Sequence, residues 1–375
     1  MKIVILGAGQ QGRIAARDLV RGGFQVTVLD QDPRNLKLAQ QTAGAAARRF
    51  DVRDEHRLVA YLKDFDAVLG ALPAALGFYG MRCAVKAGVD MVDMSYLPEN
   101  PFRLDRQARA KRIRIIPDAG YAPGLSNILC AEGRRALKKI DHLRILVGGI
   151  PQRPKPPFNY RITWSPADLL AEYTRPARIW QNFRTVVRPA LDGIEEFKVR
   201  GIGRLECFYT DGLRTLLTTF RDVRDMEEKT IRYPGHARFF KTLIDAGFLS
   251  RAPVDVAGRA VAPYDLTLSY LTSVLGRGDI RDLSILIIEL RNRRQSRRYV
   301  CIDRYDAKDQ ITSMARMTAF SAAVIVRVLK RYPGYGVIPP EYLGKEERLC
   351  SFIKSEMRKR GIVIKVSNRW SRTYT

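Results

Sequence analysis

What this chain has little of narrows its class before any motif is read. It has no run of about 18 apolar residues, so no helix is expected to span a membrane. Its five cysteines, Cys83, Cys130, Cys207, Cys301 and Cys350, are scattered and form no Cys-x-x-Cys pair. An odd, dispersed set argues against a disulfide framework and against a zinc site, and predicts buried, reduced thiols. Three histidines are too few for a His-rich metal centre, so no metal is expected. The apolar stretch at residues 2–7 is too short for a signal peptide and runs straight into glycines. It reads as a strand rather than an address, which predicts a cytoplasmic protein.

What the chain does have is length, an ordinary apolar fraction and positive charge. At 375 residues it exceeds one average domain, and 46% hydrophobic residues suffice for ordinary cores. The formal charge is +26, spread along the whole sequence. The densest run, residues 291–298, lies between strand-like segments 283–290 and 299–303 and reads as an exposed hairpin loop. Dispersed charge of this kind predicts solvated faces that draw in small anions, not a nucleic-acid partner or a membrane surface.

Strand-like and helix-like segments alternate through the first third. Strands are predicted at 2–6, 25–29, 47–51, 67–71, 91–93 and 113–117, with helices at 13–22, from 32, and at 54–62, 77–87 and 102–111. Short connections between them predict an α/β fold, a Rossmann doubly wound parallel sheet. Beyond residue 125 the pattern turns irregular and β-like, with strands at 201–208, 229–232 and 253–256 and the 283–303 hairpin. That predicts a second, α+β substrate-binding domain. A small-residue helix at 313–329 is expected to return to the first domain. The predicted division is 1–125 plus about 313–350 for nucleotide binding, 126–312 for substrate and dimerisation, and 351–375 as a basic tail.

The most specific motif is Gly7-Ala8-Gly9-Gln10-Gln11-Gly12, placed after a strand and before a helix. Gly7 permits a tight turn, Gly9 lets a diphosphate approach the backbone, and Gly12 permits close helix–strand packing. A diphosphate there lies over the helix N-terminus, where free N–H groups favour an anion. Asp30 ends the second strand, where a carboxylate receives the adenosine ribose hydroxyls of NAD and repels the extra phosphate of NADP. NAD is therefore the expected cofactor, although Arg34 lies near. Asp51 and Val52 follow the third strand, Ala71-Leu72-Pro73 the fourth, and Asp93 the fifth. All are candidate cofactor contacts, or else ordinary loop and cap residues.

Further segments resemble the saccharopine dehydrogenase family. They are Asp118-Ala119-Gly120-Tyr121-Ala122-Pro123-Gly124-Leu125-Ser126-Asn127, then Gly148-Gly149-Ile150-Pro151, then Thr230-Ile231-Arg232-Tyr233-Pro234-Gly235-His236. The resemblance covers about residues 1–345 and is closest to short members, the lysine 6-dehydrogenases. It implies a homodimer and NAD(P)-linked oxidation of an amine on a lysine-type amino acid to an imine, hydrolysed to the semialdehyde. Residues 160–166 look more like the saccharopine-metabolising branch, and residues 210–215 add charge where the lysine enzymes have small residues. A saccharopine dehydrogenase or opine-type reductase, and a non-catalytic NAD-binding protein, therefore stay open.

Amine oxidation by hydride transfer needs a neutral amine, a positioned C–H and a base. The candidate bases are Asp118, at the carboxyl edge of the sheet, and His236, with its intrinsic pKa near neutrality. Each has a plainer reading, as a brace for the 120–124 turn and as a structural hydrogen-bonding residue. Tyr121 either orients the amine or packs in the core. The substrate carboxylate needs a cation, and Arg binds it bidentately. Arg232 and Arg214 are the candidates, with Thr215 adding a hydroxyl.

Overall fold

A computed structural model describes residues 1–368, and divides into two compact units. One comprises Met1–Glu132 with Ala315–Ile362; the other comprises Gly133–Met314 with the stretch from Val363. No helix among the described residues is long and apolar enough to cross a membrane.

The first unit begins with β1 (Lys2–Leu6), α1 (Gln10–Arg21), β2 (Gln25–Asp30), α2 (Pro33–Ala43), β3 (Ala46–Arg49) and α3 (Glu55–Leu62). It continues with β4 (Ala67–Gly70), α4 (Ala74–Ala87), β5 (Asp90–Asp93), α5 (Asp105–Ala110) and β6 (Arg114–Ile116). α6 (Leu125–Leu137) follows, and the unit boundary falls within it. β1, β4 and β5 are buried along nearly their whole length, as strands covered on both faces must be. Asp32 and Asp54 cap α2 and α3 by accepting backbone N–H groups, as their positions before each helix demand.

The second unit opens with β7 (His142–Pro151), α7 (Pro166–Thr174), β8 (Ala177–Gln181), β9 (Arg184–Arg188), β10 (Glu195–Val199) and β11 (Gly203–Tyr209). Next come α8 (Leu216–Thr219), β12 (Asp225–Arg232), α9 (His236–Asp245), β13 (Val254–Val256), β14 (Arg259–Val261) and α10 (Pro263–Leu275). A long hairpin, β15 (Asp282–Arg291) and β16 (Ser296–Arg304), follows. The chain then runs through α11 (Ser313–Val328), β17 (Gly336–Val337), α12 (Pro340–Lys345), α13 (Glu347–Lys359) and β18 (Ile364–Ser367).

The first sheet has strand order β17-β6-β5-β4-β1-β2-β3, and every pairing in it is parallel. The order reverses beside β1, the switch point at which open α/β sheets bind ligands. The second sheet is mixed, with main order β10-β11-β12-β7-β15-β16-β18. Side chains alternate between its faces. One face carries an all-sheet apolar cluster that includes Leu146, Ile231, Ile285 and Ile287. Helices α7, α9 and α10 cover part of the other through Leu169, Tyr173, Phe240 and Leu271, which pack with Phe208 of β11.

Two expectations change. Residues 351–375 were expected as a basic tail; instead α13 buries Leu349, Cys350, Ile353 and Met357, and β18 pairs with β16. The amphipathic spacing of those apolar residues makes a packed helix despite the surrounding Lys and Arg. Residues 369–375 lie outside the described residues. Residues 291–298 are not all loop either. The strands extend so that only Asn292 to Gln295 turn, and Arg298 is buried against Glu289.

Candidate active site

In the first unit the glycine loop shows why each glycine is there. Gly7 sits at φ +101°, and a Cβ on it would lie 2.6 Å from the Ala71 carbonyl oxygen. A Cβ on Gly12 would lie 2.0 Å from the Gly7 carbonyl oxygen. These two glycines are required by the fold. Gly9 differs: its backbone is extended, and a Cβ there would meet nothing within 4 Å. It precedes α1, whose N-terminus has no side-chain cap. Open space beside uncapped N–H groups of a 12-residue helix fits the diphosphate of a dinucleotide.

Asp30 sits where the motif predicts, at the end of β2. Its carboxylate accepts the Ala8 N–H at 2.8 Å, the Asp32 N–H at 2.8 Å and the Asn35 amide at 3.4 Å. It is therefore fixed to the glycine loop. Arg13 stands beside it, donating to the Ala8 carbonyl, and burial lowers the Arg13 pKa while Asp30 raises it. Ala71, Leu72 and Pro73 follow β4, with Ala71 against Gly7. Asp51 is exposed and paired with Arg53 at 2.7 Å, whereas Val52 is buried. Asp93 is fully buried. Its carboxylate accepts Ser95 N–H and Oγ–H and lies over Gly70, which argues for a brace between β5 and β4.

Asp118 and Tyr121 lie in the loop after β6, both buried. Asp118 holds φ +52°, a conformation uncommon for a residue with a side chain. The loop closes tightly: Gly120 bridges Gly124, where a Cβ would lie 2.2 Å from the Gly120 carbonyl oxygen. Asn127 ties this closure down. It accepts the Gly124 N–H at 3.2 Å and donates to the fully buried Glu341 of α12 at 3.1 Å.

The second unit gathers a separate polar cluster. Glu228, Thr230 and Arg232 alternate along β12 and so share one sheet face, where α7 brings Glu172 and Tyr173. α7 starts where Ser165 accepts the Asp168 N–H and Pro166 sets the first turn. Arg232 is 3% exposed. It donates from Nε to the Tyr173 hydroxyl at 2.9 Å, pairs with Glu172 at 3.4 Å, and stands 4.7 Å from the Tyr160 ring centroid. Burial opposes its charge, but Tyr160, Tyr173 and Glu172 outweigh that and raise its pKa.

His236 starts α9, 2.8 Å from the Tyr173 hydroxyl. That phenol receives Arg232 and has one hydrogen left to give, so it donates to Nε2 and leaves the imidazole neutral. Burial, and then Arg232, hold the His236 pKa well below its usual value. Packed between Phe208, Tyr160 and Phe240, it is placed for a structural role rather than as a proton shuttle. The start of α9 is held by Glu206, which accepts the Gly235 and Ala237 N–H groups at 2.7 Å each. Arg214 (φ +51°) and Thr215 are buried ahead of α8. Asp211 accepts a bidentate pair from Arg178 at 2.7 and 2.8 Å.

Sequence reasoning did not single out Glu172, Tyr173, Thr210 or Glu228. Glu172 and Glu228 look like ordinary surface acids in the sequence, and only the topology brings them to Arg232 and Thr230.

A parallel sheet with a glycine-rich turn at its switch point, followed by a mixed sheet with a buried arginine–carboxylate cluster, defines a two-domain protein of the dinucleotide-fold class. Family models agree. The saccharopine dehydrogenase NADP binding domain matches residues 3–116, and the saccharopine dehydrogenase C-terminal domain matches residues 120–362. The chain belongs to the saccharopine dehydrogenase family. It is 23% identical over 285 residues to the NADP(+), L-glutamate-forming saccharopine dehydrogenase of Saccharomyces cerevisiae, covering 72% of this chain and 63% of that protein. Over 238 residues it is 25% identical to alpha-aminoadipic semialdehyde synthase of Arabidopsis thaliana, covering 57% of this chain and 22% of that one. The chain thus spans less than two thirds of the length of these relatives. Apo saccharopine dehydrogenase (L-Glu forming) from Saccharomyces cerevisiae shares the fold, with TM-score 0.80 at 17% identity over 98% of this chain and 100% of that one. The expected closeness to lysine 6-dehydrogenases has no counterpart in these matches.

Proposed function

We propose that this chain is a nicotinamide-dinucleotide oxidoreductase that opens the C–N bond of an amino-acid amine, with a saccharopine-type secondary amine as substrate. The observation that carries the reading is Arg232: a fully desolvated arginine, held by Tyr160 and Tyr173 and adjoining Glu172. Its Nη1 gives to the Ile231 carbonyl at 2.9 Å and its Nη2 to Glu172 at 3.4 Å, so a substrate carboxylate would be gripped by displacing the long Glu172 contact. Arg214, also buried, would supply a second cation to a substrate with more than one carboxylate.

The cofactor supplies the hydride acceptor, and the rest is positioning and proton handling. Gly7, Gly9 and Gly12, with the first turn of α1, would hold its diphosphate. The Asp30 carboxylate would take the ribose hydroxyls, which favours NAD over NADP. In the first unit Asp118, strained at the carboxyl edge of its sheet, is the candidate base. Glu172 protonates the nitrogen that leaves when water has added to the imine. A homodimer and nucleic-acid-free operation remain part of this proposal.

The test is an absorbance assay for reduced nicotinamide, with NAD or NADP and with saccharopine, lysine or ornithine. Reduction with saccharopine supports the reading. Reduction with lysine alone, releasing ammonia, replaces it with a lysine 6-dehydrogenase, and dinucleotide binding without turnover on any amine leaves a non-catalytic binding protein.

A further inference from the structure

Four side chains of the second unit form an unbroken line. Glu228 Oε2 lies 2.7 Å from Thr210 Oγ1, which lies 2.8 Å from Thr230 Oγ1, which lies 2.6 Å from Glu172 Oε1. Glu228, Thr210 and Thr230 are all at least 96% buried, and Glu172 has 12% of its side chain exposed. Each link needs one hydrogen. A threonine hydroxyl carries one, and an ionised carboxylate carries none. Three links therefore share two hydroxyl hydrogens, and the third must come from a carboxyl group. Glu172 is the ionised end, because it pairs with Arg232. The missing hydrogen then sits on Glu228, which donates to Thr210, Thr210 to Thr230, and Thr230 to Glu172.

We propose that Glu228 is a proton store, wired through Thr210 and Thr230 to Glu172, so that Glu172 can be refilled from inside the fold. When the line reverses, Glu228 gives its proton to Thr210, Thr210 passes its own to Thr230, and Thr230 passes its own to Glu172. Each hydroxyl ends with one hydrogen, Glu228 is left ionised, and Glu172 is neutral. No oxidant or co-reactant is needed, and a proton from solvent restores the start.

The surroundings of Glu228 agree. Around it stand Thr210, the Gly212 N–H, Glu172 and Asp211, and Asp211 is engaged by Arg178. Burial, and then the like charges of Glu172 and Asp211, raise its pKa to about 8. A Cβ on Gly212 would lie 2.4 Å from the Glu228 carboxyl, so the backbone at Gly212 closes over the store. The role of Glu172 in catalysis rests on the function proposed above; the stored proton does not.

Infrared spectroscopy of the whole protein across pH tests the store without any turnover. A protonated-carboxyl band should be present at neutral pH, fade near pH 8, and disappear in Glu228→Gln. It should persist in Asp282→Asn, which removes another carboxyl raised by burial, at about 6. A band unchanged in Glu228→Gln overturns the store. The wire is tested by Thr230→Val, which keeps the shape and removes the hydroxyl. With an active amine substrate, kcat should fall about tenfold or more with KM within about twofold. An unchanged kcat overturns the wire. If no amine is turned over, the function proposed above fails, and the infrared result still decides on the store.

Discussion

Two glycines three residues apart make opposite predictions, and their contrast separates fold from binding. Gly12→Ala places a Cβ 2.0 Å from the Gly7 carbonyl oxygen and 3.1 Å from its carbon. Both are backbone atoms in a turn already at φ +101°, so the clash has nowhere to relax. Overpacking of this kind costs about 1–3 kcal/mol. The protein should melt several degrees lower with or without dinucleotide, since about 1 kcal/mol moves Tm by roughly 2–4 °C in a domain of this size. Gly9→Ala places its Cβ in open space on an extended backbone that any residue adopts. The fold should be unaffected, or gain about 0.4–1 kcal/mol from a less flexible unfolded chain. The same methyl group stands where a diphosphate would approach α1. A loss of about 1–3 kcal/mol there weakens dinucleotide affinity roughly 5- to 150-fold. Thermal melting with and without NAD reads both effects. Saturating ligand at about 100 Kd adds about 2.7 kcal/mol of stability to the wild type. At the same NAD concentration Gly9→Ala should lose about 0.9–2.4 kcal/mol of that gain while melting normally alone. A full NAD-induced shift in Gly9→Ala, or a normal melt for Gly12→Ala, would refute the assignment of the loop.

Other expectations follow from single contacts. Asp30→Ala removes a carboxylate fixed to the glycine loop; relief of charge repulsion worth about 1–2 kcal/mol should raise NADP affinity relative to NAD by about 5- to 30-fold, and an unchanged ratio removes Asp30 from the ribose site. Glu206→Ala strips two N–H groups at the start of α9 of their acceptor; urea unfolding should show a loss of about 1–3 kcal/mol, and no change would mean water replaces it freely. Glu228 binds its proton more tightly folded than unfolded, with a pKa of about 8 against an ordinary 4.5. Its contribution to stability is complete below pH 4.5 and is lost progressively as pH rises to 8, because only the folded state holds the proton in that window. Glu228→Gln should therefore flatten the decline in stability between pH 5 and 8; an unaltered slope contradicts a buried neutral carboxyl.

The first unit was readable because its signals are local. Gly7 to Gly12, Asp30, and the capping residues Asp32 and Asp54 each act within a few residues of themselves, and the strand–helix alternation follows from them. The second unit was harder for physical reasons. β7 is buried along most of its length, so it shows no alternation, and Gly148-Gly149 interrupt its apolar run. Those glycines instead accept close neighbours: a Cβ on Gly148 would lie 2.4 Å from the Ile231 carbonyl oxygen, and one on Gly149 2.4 Å from Met314 Cε. α7 falls in a stretch that reads as irregular and β-like, and Glu172 within it gave no sign of facing Arg232. The line from Glu228 to Glu172 joins residues 58 apart in sequence at its Thr230 step, a juxtaposition that the packing of α7 on β12 creates and local pattern does not encode. His236 shows the converse. Its residue type suggested proton transfer, and its buried surroundings argue for a neutral structural imidazole.

The most direct test is a calorimetric titration of the unmodified protein with NAD and, separately, NADP. The account predicts saturable binding of one dinucleotide per chain, tighter for NAD, with the affinity carried by the loop ahead of α1. The absence of saturable binding by either dinucleotide would contradict it.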